Sequence, residues 1–296
     1  MKSYINIYQQ RLNLKSATFA RIEHEDAMVA IVYKVVCPDG TQLILKICER
    51  PNDYLREVYF LNHFSGQIPL PRIIRIVPPE MGIHGAILME CLPGTLIKII
   101  DYTDILAFEM GSLLARIHLN RVAGYGDLIE PEKLIPDPRV HFTLKFEEGL
   151  DECNGHLPKS LIDQCRLYFN DNLYLLATVD GPCMIHRDFR AGNVIVGDGE
   201  IQGIIDWSSA RASFAEDDFC PFEHGEWPAN SENKKSFLAG YASIRTVPDY
   251  QKIMPFLRLN RAVATVGFTV KRGTWNGCNA HPYLYNRRFL ETFFSI

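Results

Sequence analysis

The pattern of apolar and polar positions changes character part-way along the chain. Before Gly94 the apolar residues come in short runs rich in β-branched side chains, which is typical of strands. The predicted strands are 18–22, 28–37, 42–48, 73–77 and 86–90. The Pro38-Asp39-Gly40 sequence predicts a tight turn between the second and third strands, and the apolar spacing of 53–64 predicts a helix after the third.

Beyond Gly94 the apolar residues recur at the three- and four-residue spacing of amphipathic helices. The predicted helices are 101–120, 160–177, 231–243, 249–271 and 287–294. A strand–loop–strand piece, 183–206, interrupts them. We therefore expect an α+β protein with two lobes, a small, mostly antiparallel β lobe over 1–92 and a larger, mostly helical lobe over 93–296. A cleft at their junction would be the usual place for a ligand.

Composition narrows the class of protein without identifying it. Of the 296 residues, 47% are hydrophobic and 22% are charged, which is ordinary for a globular protein. The net charge of −4 argues against a nucleic-acid partner bound through electrostatics. The eight cysteines show no Cys-x-x-Cys spacing, so a zinc site or a disulfide framework is not indicated. Because there is no signal-peptide pattern and no apolar run of roughly 18 residues, we expect a cytoplasmic protein without a membrane anchor.

The most specific chemical pattern is the sequence Met-Ile-His-Arg-Asp-Phe-Arg-Ala-Gly-Asn at 184–193. Asp188 and Asn193 have the His-x-Asp-x-x-x-x-Asn spacing of phosphoryl-transfer loops, and Asp206 ends an apolar run thirteen residues after Asn193. We interpret Asp188 as the group that orients an attacking hydroxyl, and Asn193 and Asp206 as oxygen ligands for Mg²⁺. A plain loop of common turn residues is the alternative. Apolar runs on both sides and a hairpin pattern at 197–199 favour the functional interpretation.

Lys46 is a single charge within the apolar run 42–48. A buried ammonium needs an anion, and Glu57 in the following helix is the predicted partner, with Asp53 and Glu49 as alternatives. We interpret Lys46 as a phosphate-binding group. The other interpretation is an edge-strand lysine that faces solvent.

The segment Glu90-Cys91-Leu92-Pro93-Gly94 joins the two predicted lobes. Glu90 and Leu92 are predicted to offer backbone groups to the edge of a nucleotide base, and a plain turn is the alternative. No glycine precedes Gly40, so the chain lacks a Gly-x-Gly-x-x-Gly loop over the phosphates. The acidic loop at 23–27 occupies that place in the sequence, and no residue there is assigned a role.

An acid-rich run follows Asp206. Its members are Glu216, Asp217, Asp218, Glu223 and Glu226. An amine-bearing, cationic substrate is one interpretation and a solvated face is the other. A set of basic residues further along favours an anionic substrate instead. That set is Arg258, Arg261, Lys271 and Arg272. The charge of the substrate therefore stays open.

Together these residues resemble the aminoglycoside phosphotransferase family, a branch of the protein-kinase-like fold. The resemblance runs from Lys46 through His186-Arg187-Asp188 and Asn193 to Asp206-Trp207, and it includes the segment 113–118. It implies a two-lobed fold, ATP or GTP as phosphate donor, Mg²⁺, and a small molecule whose hydroxyl group accepts the phosphate. One departure is Ser213-Phe214-Ala215, where the family usually has Gly-Asp-Pro.

The resemblance leaves the substrate open, because relatives phosphorylate aminoglycosides, macrolides, amino alcohols, homoserine, sugars and occasionally proteins. Two other functions remain as alternatives. A nucleotide-binding regulator without catalysis would suit the missing glycine loop. A protein kinase is less favoured, since Asp206-Trp207 replaces Asp-Phe-Gly and no Ala-Pro-Glu follows.

Overall fold

The structure is a computed structural model that describes residues 2–22, 30–97, 102–225 and 231–295. The helices are α1 (Lys2–Arg11), α2 (Pro51–His63), α3 (Asp104–His118), α4 (Pro138–Glu152), α5 (Lys159–Asn172), α6 (Cys220–Glu223), α7 (Ser231–Ala242), α8 (Tyr250–Arg272) and α9 (His281–Phe293). The strands are β1 (Thr18–Arg21), β2 (Ala30–Val36), β3 (Gln42–Cys48), β4 (Ile73–Val77), β5 (Gly85–Glu90), β6 (Thr95–Leu96), β7 (Cys183–Ile185), β8 (Val194–Gly197), β9 (Glu200–Ile204) and β10 (Arg211–Ser213). Within these ranges, no helix is long and apolar enough to span a bilayer.

The chain groups into two compact units. Unit 1 takes its described residues from Met1–Arg116, His186–Ala210 and Pro228–Tyr241. Unit 2 takes them from Ile117–Ile185, Arg211–Trp227 and Ala242–Ile296. These units do not test the lobe boundary expected between residues 92 and 93, which stays a prediction.

The main sheet of unit 1 has the strand order β1-β2-β3-β5-β4, and its neighbouring strands are antiparallel. Side chains alternate between the faces of a sheet, and one face buries its apolar residues against α1. That buried set includes Val35, Leu45, Ile47, Ala86 and Leu88 from the sheet, with Tyr8 of α1 and Leu12, the residue after it. Lys46 lies between two of these core positions and therefore belongs to the opposite face. The register places it beside Val32 on β2 and Ile87 on β5.

Strands β8 and β9 form a hairpin in unit 1, as the pattern at 197–199 predicts. Gly197 pairs with Glu200, so the turn has two residues, and both have positive φ, 53° and 81°. Two successive residues with positive φ are the mark of a type I′ turn. Because Val194 pairs with Ile204 at the other end, the residues just before β8 lie next to those just after β9.

Strand β6 adds to this hairpin by pairing with β8. Gly94, one residue before β6, has a φ of 108°, and a Cβ on it would lie 2.2 Å from the Val196 carbonyl oxygen. A side chain at this position is therefore excluded by both conformation and space. Gly94 thus allows the segment that leaves β5 to run directly against the hairpin.

Unit 2 is mostly helical, and its aromatic core joins three helices. Phe146 of α4 stacks on Phe169 of α5 with ring centroids 3.8 Å apart, and Phe169 also packs on Phe256 of α8 at 4.9 Å. The sequence pattern did not predict α4, because apolar residues alternate at its start. The structure buries Phe142, four residues before Phe146, and leaves the intervening Leu144 exposed.

Further elements differ from the sequence expectations. Helices α1 and α6 and the short strands β6 and β10 were not predicted, and α9 begins at His281 instead of 287. Pro282 occupies the first turn of α9, where a proline costs no hydrogen bond. The remaining predicted strands and helices are present with ends that differ by a few residues, although parts of 28–37 and 101–120 lie outside the described residues.

Candidate active site

The candidate site lies within unit 1 and is centred on Lys46. Its Nζ donates to Glu57 Oε2 at 2.8 Å and to Asp206 Oδ1 at 2.9 Å. The predicted partner Glu57 is thus confirmed over the alternative Asp53, whose carboxylate binds Arg50 at 2.8 Å. The side chains of Lys46 and Glu57 are 10% and 2% exposed, and that of Asp206 is 37% exposed. One buried cation therefore joins two carboxylates that are far apart in the sequence.

Charges within this cluster determine which of its groups are ionised. Burial alone would lower the pKa of Lys46, but attraction to Asp206 and Glu57 outweighs it and raises that pKa. Burial would raise the pKa of Asp206, yet Lys46 and a hydrogen bond from Ser208 hold it well below its usual range. For Glu57 burial dominates, and its pKa is raised despite the contact with Lys46. The cluster thus presents a protonated lysine and an ionised Asp206.

Asp206 is held by an unusual backbone conformation and by its neighbour Trp207. Its φ of 62° and ψ of 69° are left-handed, a region that aspartate tolerates better than most residues. Trp207 is fully buried, and its ring lies 5.9 Å from Phe60 and 5.1 Å from Phe64, centroid to centroid. The backbone N–H of Trp207 donates to the carboxylate of Glu57. Helix α2 therefore anchors the segment that carries Asp206.

The loop between β7 and β8 carries the other two predicted residues. Asn193 Nδ2 donates to Asp188 Oδ2 at 2.8 Å and to the Asp188 carbonyl oxygen at 2.8 Å. The Ile205 N–H donates to the Asn193 carbonyl oxygen at 2.9 Å. This bond continues the pairing of β8 with β9 and ties Asn193 to the residue that precedes Asp206. The hairpin thus explains the thirteen-residue spacing of the two predicted metal ligands.

Two more residues of this loop help to build the site. His186 is fully buried, donates from Nε2 to the Ile205 carbonyl oxygen at 3.2 Å, and packs on Trp207 at 4.5 Å. Arg190 Nε donates to both oxygens of Asp188, at 3.2 and 3.3 Å. The sequence reasoning gave Arg190 no role. The sequence feature that could have identified Arg190 is its position two residues after Asp188, followed by Gly192.

Glu90 and Leu92, the predicted base-binding residues, lie at the end of β5 and just beyond it. The Glu90 N–H donates to the Arg72 carbonyl oxygen at 2.9 Å, so it is committed to the sheet. Within the described part of the chain, the Leu92 N–H has no backbone acceptor. The Leu92 side chain packs against β9, where a Cβ on Gly203 would lie 2.4 Å from Leu92 Cδ1. Their role in binding a base stays a prediction.

The acid-rich run lies in unit 2, and two of its members are almost fully buried there. Glu216 accepts from the Asp180 N–H at 3.0 and 3.1 Å, and Asp218 contacts His118 Nε2 at 3.1 Å. Glu223 accepts from the Tyr250 hydroxyl at 3.0 Å. Glu226 and the loop at 23–27 lie outside the described residues. These contacts give Glu216, Asp218 and Glu223 a structural role.

The donor set suits Mg²⁺ better than a metal that needs an all-protein cage. Across the residues that the structure describes, no group of three or more His, Cys, Asp or Glu side chains could hold a metal ion. Mg²⁺ is commonly held by one or two side-chain oxygens together with substrate phosphates and water. Asp206 is ionised, and Asn193 directs its Nδ2 to Asp188, which turns its Oδ1 away from that contact. Asp206 and Asn193 therefore fit Mg²⁺.

The structure combines an antiparallel sheet, a sheet lysine paired with a helix glutamate, an Asp–Asn loop and a hairpin that ends in Asp. This combination defines the protein-kinase-like class of folds. Solved structures confirm it. Aminoglycoside phosphotransferase APH(4)-Ia is 13% identical, with 99% of this chain and 98% of that chain covered and a TM-score of 0.69. A thermostable mutant of that enzyme, in a ternary complex with AMP-PNP and hygromycin B, is 12% identical, with 97% and 96% covered and a TM-score of 0.71. The gentamicin complex of APH(2″)-IIa is 14% identical, with 97% and 94% covered and a TM-score of 0.71.

Identities this low show the fold alone, but the sequence itself matches a family. The model of the phosphotransferase enzyme family, APH, matches residues 30–255. The chain belongs to this family, as its resemblance to aminoglycoside phosphotransferases predicts. Tyrosine-protein kinase Src64B of Drosophila melanogaster is 29% identical over 87 residues, which are 27% of this chain and only 16% of that kinase. Family membership supports a kinase-type phosphotransferase.

Proposed function

We propose that this protein transfers the γ-phosphate of ATP or GTP to a hydroxyl group of a small molecule, with Mg²⁺ as the metal. The contacts of Lys46 with Glu57 and Asp206 carry this proposal. Through them the buried Lys46, a cation suited to binding phosphate, is in direct contact with Asp206, the carboxylate suited to binding the metal. Asp188 and Asn193 belong to the same compact unit.

On the nucleotide side, Lys46 donates to phosphate oxygens while Glu57 keeps its ammonium in place. The fit rests on the raised pKa of Lys46, which keeps the donor charged. The carbonyl of Glu90 and the N–H of Leu92 face the edge of the base. Glu90 contributes its carbonyl because its N–H already donates to Arg72.

Asp206 and Asn193 hold the metal through a carboxylate oxygen and a carboxamide oxygen. Bound Mg²⁺ would neutralise charge on the phosphate oxygens and fix their orientation. The ionised state of Asp206 is secured by Lys46 and by the hydroxyl of Ser208, which donates at 2.8 Å. His186 and Trp207 keep the backbone around Asp206 in place.

Asp188 orients the acceptor hydroxyl. The acceptor oxygen forms a bond to the γ-phosphorus while the bond from that phosphorus to the bridging oxygen breaks. The electron pair leaves with the nucleoside diphosphate, and the proton of the hydroxyl passes to Asp188. Asn193 fixes the Asp188 carboxylate through its Nδ2.

We propose a polyhydroxylated small molecule as the acceptor, since the solved relatives described above bind hygromycin B or gentamicin. The acid-rich run gives no separate support for an amine-bearing acceptor, because Glu216 and Asp218 are buried and bonded within unit 2. The cationic character of the acceptor is therefore left to the assay.

Nucleotide consumption should be measured with MgCl₂ and ATP or GTP against aminoglycosides, macrolides, amino alcohols, sugars and cell lysate. Asp188→Ala should bind nucleotide in calorimetry as the wild type does and lose transfer by at least about 100-fold. Asp171→Ala, which removes an exposed carboxylate on α5, is the matched control and should keep full activity. Transfer by Asp188→Ala at the wild-type rate would refute the role of Asp188. Nucleotide binding without any product would favour a regulatory protein, and labelled protein in lysate would favour a protein kinase.

A further inference from the structure

A cleft in unit 2 is lined by residues that the proposed function does not use. Its volume is about 430 Å³, towards the lower end of the roughly 300–1,000 Å³ of small-molecule sites. Part of the lining comes from 136–139, around the start of α4, part from residues within 176–181, and Tyr125 completes it. All of these residues belong to unit 2, whereas the candidate active site is in unit 1.

Tyr125 brings a buried hydroxyl to this cleft. The residue is 5% exposed. Its backbone N–H donates to the Ile135 carbonyl oxygen at 2.8 Å, and its carbonyl oxygen accepts from the Ile135 N–H at 2.9 Å. Tyr125 is therefore fixed beside the segment that leads into α4. Among the residues that the structure describes, its hydroxyl has no hydrogen-bond partner, which is unfavourable for a buried polar group.

The hydroxyl of Tyr125 faces the cleft. In the described ranges, the unbonded side-chain atoms that are completely shielded do not include this oxygen, so it keeps some accessible surface. Because the residue is almost fully buried and lines the cleft, that surface opens there. Burial raises the pKa of Tyr125 to about 12. At neutral pH the hydroxyl is therefore protonated and offers a hydrogen-bond donor.

The backbone N–H of Val179 is a second donor at the cleft. Val179 follows the short 3₁₀ helix Leu173–Thr178, and within the described part of the chain its N–H has no backbone acceptor. Its carbonyl oxygen already accepts from the Gly181 N–H at 3.1 Å. The polar groups left to a ligand are thus donors, which call for a ligand with an acceptor atom.

The charged groups around the cleft disfavour an anion. Asp137 accepts from the Arg139 backbone N–H at 2.9 Å and from its guanidinium Nη2 at 2.7 Å, so Arg139 is neutralised by a neighbour. The carboxylates of Glu216 and Asp137 add to the rise in the pKa of Tyr125, and Arg121 opposes them. A negatively charged ligand at this hydroxyl would meet the same carboxylates.

The rest of the lining is apolar and stiff. The rings of Pro136 and Pro138 fix their own backbone, and Leu176 is 1% exposed and held in place by packing. We propose that this cleft is a binding site for an uncharged, planar ring compound whose carbonyl oxygen accepts from the Tyr125 hydroxyl. The apolar lining contacts the ring, and the hydroxyl orients the carbonyl. This site does not depend on the proposed function.

Titration of the full chain with coumarin, followed by saturation-transfer NMR, tests the proposal. Coumarin is an uncharged pair of fused rings with one carbonyl group, and we expect a dissociation constant of about 1 mM or tighter. Tyr125→Phe should weaken binding about fivefold, the value of one hydrogen bond. It should leave the urea midpoint of unfolding unchanged, because the hydroxyl bonds to nothing within the described chain. Coumarin-3-carboxylate should bind at least about tenfold more weakly than coumarin.

Ala177→Trp, which fills the cleft, should abolish coumarin binding. Ala242→Trp, at an exposed alanine on α7, is the matched control and should bind as the wild type does. Saturating AMP-PNP with MgCl₂ should leave coumarin bound.

A wild-type protein that does not bind coumarin would overturn the proposal, and so would wild-type affinity in Tyr125→Phe or Ala177→Trp. Complete displacement by AMP-PNP would place coumarin in the nucleotide site and would also overturn it. A lower urea midpoint for Tyr125→Phe would show that the hydroxyl has a structural role instead.

Discussion

Replacing Trp207 with leucine is expected to lower the free energy of unfolding by about 3 kcal/mol. Trp207 is fully buried, and its ring packs on Phe60, Phe64 and His186 with centroids 5.9, 5.1 and 4.5 Å away. Truncating such a ring to alanine costs about 3–5 kcal/mol, and leucine keeps part of the volume, so we assign about 2 kcal/mol to lost packing. The lost indole hydrogen bond supplies about 1 kcal/mol more.

Trp207→Phe separates these two contributions. The indole Nε1 donates to the Ile204 carbonyl oxygen at 3.1 Å, and phenylalanine loses that bond while keeping an aromatic ring in the stack. We therefore expect a loss of about 1 kcal/mol for Trp207→Phe.

The leucine variant should also bind nucleotide less tightly. Trp207 ties the segment of Asp206 to helix α2, both through the ring stack and through its N–H bond to Glu57. If Asp206 loses its alignment with Lys46, a charge-assisted contact worth about 1.5 kcal/mol is weakened, which corresponds to about a tenfold loss of affinity.

Urea denaturation followed by far-UV circular dichroism measures the stability, and calorimetry with AMP-PNP and MgCl₂ measures the affinity. The phenylalanine variant should lie between the wild type and the leucine variant in both. A leucine variant within about 0.5 kcal/mol of the wild type, the range of ordinary surface substitutions, would refute the reasoning. So would a phenylalanine variant as unstable as the leucine variant, because the ring stack would then contribute nothing.

Three other predictions concern charge and backbone. Lys46→Met should lower phosphate transfer by at least about 100-fold. It should also lower the free energy of unfolding in urea by about 3 kcal/mol, because two carboxylates lose the cation they share. Full transfer activity would contradict the role of Lys46. Burial raises the pKa of Glu216 to about 7. Its neutral form therefore contributes fully to the free energy of unfolding below about pH 4, and this contribution, up to about 3 kcal/mol, is lost as the pH rises to 7. Glu216→Gln should flatten the dependence of unfolding free energy on pH in that window, and an unchanged slope would show that another group titrates there. Gly94→Ala should cost at least about 2 kcal/mol, because its φ is 108° and its Cβ would meet a carbonyl oxygen. Gly199→Ala, with a φ of 81° and open space around it, should cost about 1 kcal/mol by the same urea assay, and equal losses would show that the close approach at Gly94 is harmless.

Much of the candidate site could be predicted because short-range rules place its residues. Alternation along β3 puts Lys46 on the face opposite the core of Leu45 and Ile47. A two-residue turn between β8 and β9 brings Asn193 next to the residue before Asp206. Both results depend only on local periodicity and turn chemistry, which the sequence states directly.

Packing between distant segments decided the rest. The sequence offered Glu57, Asp53 and Glu49 as partners for Lys46, and only the docking of α2 on the sheet selected Glu57. Helix α4 was not predicted from the sequence, because its first apolar residues alternate as in a strand. Burial of every fourth residue against α5 and α8 outweighs that alternation.

The sequence by itself determined the five strands of the main sheet and the β8–β9 hairpin, and it singled out the residues proposed to bind the phosphate, the metal and the hydroxyl, since each follows from spacing along a few residues. The tertiary structure decided which acidic side chains remain available to a substrate. It buried Glu216 and Asp218 in contacts within unit 2, although sequence alone allowed them to face a substrate. It also brought Arg190 onto Asp188 over a glycine whose missing side chain makes room for it. Such contacts depend on side-chain directions and on the space left by neighbouring segments, which no periodicity along the chain records.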